Sequence, residues 1–352
     1  MGKERTVLIG NRSVGFGAGV FVIAEGGVNH NGDLTKAKKM VEVALESGAD
    51  AVKFQSFTSE QLVTASAAKA DYQLRGTPGN ETQLEMLKRL ELSSAAQREL
   101  RDYCRERGML FLSTPFDEAS VDLLQELEVP AYKISSGDLT NLPLIDYVAR
   151  KGKPLILSTG MADLDEVNEA VRTARQAGSA DLILLHCVSN YPANPADVNL
   201  RAMKAMEEAF EVPVGYSDHT EQFEIALAAV ALGACVIEKH FTLDRNLPGP
   251  DHRASLEPAE LRAMVAAIRK VESALGHGRK IPAASEGDIA LVARRSLTAA
   301  ADIRAGTRIS REEISLRRPG SGLKPAQLDL LIGRVARVDI PAGTLLSLEM
   351  FE

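Results

Sequence analysis

VIEKHFTLDRNLPGPDH, residues 236–252, decides how the rest of the chain is read. Ala234, Cys235, Val236 and Ile237 form a short apolar run of the kind that makes a fully buried strand. The run then breaks into Glu238, Lys239 and His240. Three titratable side chains at the end of a buried strand are costly to desolvate unless partners meet them. The preceding apolar segment, 212–215, behaves the same way and runs into Tyr216, Ser217, Asp218 and His219. Two successive strands thus each deliver a histidine just past their last apolar residue.

Working outward, one unit recurs from 21 to 241: an amphipathic helix, a small or turn residue, and a short apolar strand ending in polar residues. The strands read FVIAE (21–25), AVKF (51–54), MLFLST (109–114), AYKIS (131–135), PLILST (154–159), LILLHC (182–187), PVGYS (213–217) and CVIEKH (235–240). Between them, apolar residues recur near the 3.6 period, as in Ala37, Met40, Val41, Ala44 and Leu45. Strict alternation of strand and helix implies a parallel sheet with right-handed crossovers. Eight such units match a (β/α)8 barrel, a TIM-barrel α/β fold. The rival doubly wound sheet lacks its switch-point fingerprint. Gly15, Gly17 and Gly19 do not follow a strand and read as a turn before the first one.

Two features exceed the bare barrel. Residues 56–90 form a long insert after the second strand, with Gly76, Thr77, Pro78 and Gly79 in succession, and loops of that length at this rim are often lids or substrate loops. After a last helix at 258–275, residues 276–288 have linker composition. Short strand candidates at 297–300, 314–316, 333–338 and 345–348 follow, separated by Gly and Pro turns. The expected division is a barrel over 1–282, a linker over 283–290 and a small mostly-β domain over 291–352. From Leu291 onward ten basic residues face seven acidic ones, a mildly basic tail on a chain of net charge −7. That net charge argues against nucleic acid as the main partner. No run approaches a membrane span, the start has no secretory apolar region, and three cysteines without metal or disulfide spacing suit a cytoplasmic protein.

Catalysis in such barrels sits at the C-terminal strand ends. The candidates there are Glu25, Lys53, Gln55, Thr114, Lys133, Ser135, Ser136, Ser158, residues 186–190, 217–219 and 238–240. Two lysines among several hydroxyls suggest an anionic, phosphate-bearing ligand. His219 and His240 on neighbouring strand ends, with Glu25 and Glu238 near, suggest a divalent metal with open positions. Asp251–His252 reads either as a loop reaching over the mouth or as a turn capping the closing helix.

The segments AEGGVNHNGD (24–33), DAVKFQ (50–55), FLSTPFD (111–117), YKISSGDLTNLPLI (132–145), ILSTGM (156–161), LHCVSNYP (185–192), GYSDHT (215–220) and IEKHFTLDRNLPGPDH (237–252) resemble the sialic acid synthase family. The tail, with RRSLTAAADIRAG and LRRPGSGLKP, looks like that family's antifreeze-like (SAF, β-clip) domain. The resemblance implies condensation of phosphoenolpyruvate with an N-acetylated mannosamine-type sugar, giving a nine-carbon sialic-type acid and phosphate. It implies Mn²⁺ or Mg²⁺ on His219 and His240. Phosphoenolpyruvate would meet Lys53, Thr114, Lys133, Ser136, Ser158 and Ser217, with Ser189 and Asn190 nearby; Gln55, Tyr191 and Asp251 would face the sugar. Glu25 and Asp138 are the candidates for proton handling. The resemblance further implies a homodimer in which the small domain caps the partner's barrel, with Arg318 touching the N-acetyl group. Gly26 stands where the family often has alanine, and Asp138 where many members have glutamate. The latter departure raises a legionaminic- or pseudaminic-type acid as the product. Two other readings are a synthase acting on a sugar phosphate and a non-catalytic sugar-binding protein.

Overall fold

A computed structural model describes residues 6–78 and 80–352, the side chain of Arg75 excepted. Gly79 of the insert's turn lies outside the described residues. The chain divides into two compact units, one ending at Gly276 and the other spanning His277–Glu352. The division falls at the glycine that ends helix Pro258–Leu275, where φ is +60°. Residues 283–290, expected as a linker, instead carry a single turn at Ala284–Glu286 and the start of helix Gly287–Ala293.

In the first unit eight parallel strands, Phe21–Gly27, Ala51–Ser56, Leu110–Pro115, Tyr132–Ile134, Leu155–Ser158, Leu182–Cys187, Val214–Asp218 and Val236–His240, form the expected barrel sheet. The first and eighth strands are paired, with His240 beside Glu25. The third and fourth lie side by side and close the ring without a ladder among the described residues. Period-two alternation sorts the side chains. Val22, Ala24, Val52, Phe54, Tyr132, Ile134, Tyr216 and Ile237 point outward into the layer shared with the helices. Phe21, Ile23, Ala51, Leu112, Ala131, Ile156, Ile183, Leu185 and Val236 point inward and fill the lower barrel. A hairpin, Thr6–Ile9 with Arg12–Gly15, adds Val7, Ile9 and Val14 to that interior cluster. Each fully buried Ile or Leu there contributes about 1.5–3 kcal/mol, which offsets the desolvation of the polar layer above.

That polar layer arises because the inward positions change character near each strand's end. Above Phe21 and Ile23 comes Glu25; above Ala51 comes Lys53; above Ala131, Lys133; above Ile156, Ser158; above Val236, Glu238. The insert folds into helices Ser59–Leu62, Asp71–Gly76 and Gln83–Leu90. Thr82 caps the last of these by accepting from the Glu85 amide, and Glu85 returns a bond to the Thr82 amide. Gly249 donates its amide to Gly76 O at 3.0 Å, which ties the insert to the 236–252 loop. A side chain at Gly76 would bring Cβ within 2.2 Å of Gly249 O, so only glycine permits this approach.

The second unit pairs Ser296–Ala299 antiparallel with Ile314–Arg317 around Leu297, Ile303, Ile309, Ile314, Leu346 and Phe351. The strands expected at 333–338 and 345–348 are reduced to isolated bridges, Arg308–Val335, Ala336–Phe351 and Thr298–Leu345. Gly333, Pro341 and Gly343 interrupt the backbone too often for a longer ladder. Among the described residues no helix is long and apolar enough to cross a membrane.

Candidate active site

The inward polar residues meet in one cavity of about 430 Å³, within the range of small-molecule sites. Its charged floor is Glu25, Lys53, Lys133 and Glu238, none more than 5 % exposed. Lys53 Nζ lies 2.5 Å from Glu25 Oε2 and 3.6 Å from Glu238 Oε2, and donates to Thr114 Oγ1 at 3.0 Å. Lys133 Nζ lies 3.5 Å from Glu238 Oε1, which also accepts from Ser217 Oγ at 2.9 Å.

These four groups are not equivalent. Burial works to raise Glu238, but the ammoniums of Lys133 and Lys53 on either side outweigh it and hold the carboxyl at about 2. Burial raises Glu25 to about 7, against the pull of Lys53 and with the help of Glu238's charge. Burial lowers Lys133. For Lys53 burial acts the same way, but Glu238 and Glu25 outweigh it and raise the ammonium. Glu238 is therefore the fixed counter-charge, and Glu25 exchanges its proton near neutrality. With Glu25 protonated the four groups carry one net positive charge, a setting suited to an anion.

Hydroxyls complete that setting. Ser136 Oγ accepts from Gly160 N at 3.0 Å, and Ser158 Oγ is buried with no hydrogen-bond partner among the described residues. Ser189 lines the same wall, and a Cβ at Gly160 would come within 2.3 Å of its Oγ. Two ammoniums and several hydroxyl donors make a cradle for a carboxylate or phosphate.

Not every expected residue reaches the cavity. Lys239 faces outward, fully buried, with Nζ 3.0 Å from Asp218 Oδ2, and Asp218 also accepts from the Thr220 amide and hydroxyl. His186 likewise faces away and bonds Val198 O. Asp138 does not line the cavity: its carboxylate accepts from Ser135 Oγ at 2.7 Å and Asn141 Nδ2 at 3.3 Å. Asn190 is exposed and outside the lining. Arg318 is an exposed residue of the second unit, donating Nε to Ala293 O at 3.0 Å. Gln55, Tyr191 and Asp251 do line the cavity. Tyr72, Gln73, Gln83, Met86 and Leu87 of the insert line it too, and sequence reading singled out none of them individually. Gly26 has a local reason: a Cβ there would lie 2.9 Å from Phe54 Cε1.

His219 and His240 share one wall, with ring centroids 5.6 Å apart. His219 Nδ1 donates to Val188 O at 2.8 Å, which leaves Nε2 with its lone pair, hydrogen-bonded to Tyr191 Oη at 3.0 Å. A ring oriented by a backbone carbonyl through its other nitrogen is the usual arrangement of a metal-ligating histidine. Burial, reinforced by His219 and Lys53, holds His240 well below its ordinary value, and its Nδ1 is buried with no hydrogen-bond partner among the described residues. No group of three or more His, Cys, Asp or Glu side chains converges as a closed metal cage among the described residues. His219 differs: burial lowers it, but Cys187 beside it outweighs burial and raises the imidazole, so a metal there would displace its proton. With that proton given up, two imidazoles beside exchangeable carboxyls fit an open site, with two protein nitrogens and the remaining positions free for oxygen ligands. Asp251 borders this wall, and burial raises its carboxyl to about 6.

Fold and site together define a (β/α)8-barrel enzyme whose rim gathers buried lysines, carboxyls and hydroxyls. The chain belongs to the NeuB family: that family's pattern matches residues 40–280, and the SAF domain matches residues 294–352. Over an alignment of 356 positions that covers 100 % of both chains, it is 47 % identical to N,N'-diacetyllegionaminic acid synthase of Legionella pneumophila. It is 48 % identical over 317 residues to the protein of the same name in Campylobacter jejuni, covering 90 % of this chain and 95 % of that one. Among solved structures, N-acetylneuraminic acid (sialic acid) synthetase from Leptospira borgpetersenii, in complex with citrate, superposes with a TM-score of 0.74 at 37 % identity, covering 81 % of this chain and 95 % of that one.

Proposed function

We propose that this protein condenses phosphoenolpyruvate with an N-acetylated mannose-type sugar to give a sialic-type nonulosonic acid and phosphate. The observation that carries the reading is the buried Glu25–Lys53–Glu238–Lys133 group under a wall of serines. Relatives named as legionaminic acid synthases support a diacetamido-trideoxy sugar as acceptor.

Lys53 and Lys133, with Thr114, Ser136, Ser158 and Ser189, hold the carboxylate and phosphate of phosphoenolpyruvate and stabilise the charge that shifts between them. Gln55, Tyr191 and Asp251 orient the acceptor so that its aldehyde carbon faces the enol carbon. The new bond forms between those two carbons, and the aldehyde oxygen gains a proton and becomes a hydroxyl. Water adds to the adjacent phosphate-bearing carbon and loses a proton; the bond from that carbon to the phosphate oxygen then breaks, the new hydroxyl gives up its proton to become the product's ketone, and phosphate departs with the bonding electrons. Glu25 is tuned to give or take these protons near neutral pH, and Glu238 remains ionised to steady the developing cation. Asp138 has no part in these steps. His219 Nε2 and His240 would hold a divalent ion, Mn²⁺ or Mg²⁺, which would supply Lewis-acid polarisation of the aldehyde when bound. The working assembly is a homodimer in the cytoplasm, in which the C-terminal unit of one copy caps the barrel of the other and offers Arg318 to the acceptor.

The test is phosphate release from phosphoenolpyruvate with a panel of N-acetylated hexosamines and added Mn²⁺, read with product mass. Release that needs both acceptor and metal is expected; silence across the panel would refute the reading. Sedimentation of a monomer at catalytic concentrations would remove the dimer.

A further inference from the structure

We propose that Asn29 is a positioning residue for Asp251: its carboxamide, acting through Phe241 O and the Ser255 hydroxyl, fixes the 241–255 loop so that the Asp251 carboxyl meets the acceptor. This rests on the condensation reading above, in which Asp251 orients that acceptor, and adds residues that do not touch it. Asn29 and Asn31 belong to the AEGGVNHNGD stretch, yet neither lines the cavity. Asn29 is buried, and its Nδ2 donates to Phe241 O at 2.8 Å and to Ser255 Oγ at 2.9 Å. Ser255, also buried, donates in turn to Asp251 O at 2.7 Å. An unbroken run of hydrogen bonds thus joins the first barrel loop to the backbone of a residue whose side chain lines the cavity. Asn29 Oδ1 is buried with no hydrogen-bond partner among the described residues. An orphaned carbonyl oxygen is destabilising, so an amide at this position is explained by its two donated bonds.

The loop that carries Asp251 needs such a hold. Between strand Val236–His240 and helix Pro258–Leu275 it contains one short turn, His252–Ala254, and no other regular structure. Its ends are paired through the backbone, Leu256 N donating to His240 O and Thr242 N to Leu256 O. Its middle is gripped from the first loop. Asn31 Nδ2 donates to Pro248 O at 2.8 Å, and His252 Nε2 donates to Asn31 Oδ1 at 3.3 Å. A Cβ at Gly249 would come within 2.6 Å of His252 Cδ2 and 2.9 Å of Asn31 Oδ1, so this contact admits no side chain. The gripping loop is itself stiff. Asn29 N bonds Gly26 O, Asn31 N bonds Val28 O and Asp33 N bonds His30 O, three successive tight turns that start just past Glu25. Asn31 sits at φ +53°, a left-handed conformation that asparagine adopts readily.

The test measures KM for phosphoenolpyruvate and for diacetamido-trideoxymannose, with Mn²⁺ saturating, in the full chain and in Asn29→Leu, Asp251→Ala and the double variant. Leucine is close to asparagine in size and donates no hydrogen bond. Asn29→Leu is expected to raise KM for the sugar by about 10-fold or more, the scale of a misplaced binding group, and to leave that for phosphoenolpyruvate within about twofold. In the Asp251→Ala background the same change should cost less than about twofold, because the group it positions is already gone. Hydrogen exchange of the Ala254, Ser255 and Leu256 amides should quicken in Asn29→Leu while that of strand Val236–His240 stays slow. Should Asn29→Leu fail to fold, Asn31→Ala carries the same cycle, since Asn31 is half-buried and its loss removes the bonds to Pro248 and His252. A loss of about 10-fold that persists in Asp251→Ala, or an equal rise in both Michaelis constants, would mark an asparagine that only supports the fold. That result, or unchanged kinetics, overturns the inference while leaving the condensation intact. A parent chain that releases no phosphate with any sugar of the panel sinks both.

Discussion

Replacing Glu25 by glutamine should make the protein more stable at pH 8 while abolishing most of its activity. The carboxyl's ordinary value of 4.5 rises to about 7 in the folded chain. At 1.36 kcal/mol per pH unit, ionising it in place costs about 3 kcal/mol. Because the folded value is the higher one, the folded state binds more protons between those limits. Stability therefore falls as pH rises from about 4.5, and the whole penalty is present above about 7. Glutamine cannot ionise and resembles the protonated acid in shape. Variant and parent should thus be equally stable near pH 4 and differ by about 3 kcal/mol in the variant's favour at pH 8. Asp251, also raised by burial, adds its own slope at lower pH, but it is common to both proteins and cancels in the difference. Urea unfolding followed at 222 nm reports the helix-rich barrel unit and gives the difference directly; phosphate release should drop by about 100-fold or more. Parallel stability profiles from pH 4 to 8 would mean that Lys53 keeps Glu25 ionised throughout, and its role in proton transfer would fall with that result.

Lys239→Met should cost about 3–5 kcal/mol in urea unfolding, because it strands the fully buried Asp218, yet leave kcat/KM of the folded fraction within about twofold, since the residue lies outside the cavity. Asp138→Asn should change turnover by less than about threefold; a loss of about 100-fold would return Asp138 to the chemistry. Lys133→Met should raise KM for phosphoenolpyruvate and lower kcat, together about 10²–10³-fold, while Glu238 keeps Lys53 as counter-ion; unchanged kinetics would remove the anion cradle. His240→Ala should weaken Mn²⁺ binding by at least about 10-fold in calorimetry with the circular dichroism unaltered, and undiminished affinity would separate the imidazole pair from any metal.

Barrel strands and the floor of the site were legible because two independent periodicities agree there. Each strand is a short apolar run bounded by turn residues, and each ends on a polar residue at an inward position, as with Ile23 before Glu25 or Val236 before Glu238. Lys239 and His186 misled for the same reason that Glu238 and Cys187 did not: adjacent residues of a strand face opposite ways, and a run of titratable groups does not announce which parity points inward. Asp138 sat one turn beyond a strand end, where a local 3-10 turn points its carboxylate at Ser135 and Asn141. The insert's contribution was invisible, since its short helices meet the cavity only by folding back over the mouth. Its length alone gave warning.

The order and spacing of apolar and polar residues along the chain were enough to determine the (β/α)8 barrel and the rim that carries the lysines and imidazoles. Those properties follow from local periodicity, which a linear string records in full. Tertiary structure decided which carboxyl holds an exchangeable proton and which stays ionised. It also decided which lysine is structural and which side chains of the insert line the cavity. Each of these depends on burial and on charges a few ångströms away in space, contributed by residues as far apart in the chain as Glu25 and Glu238.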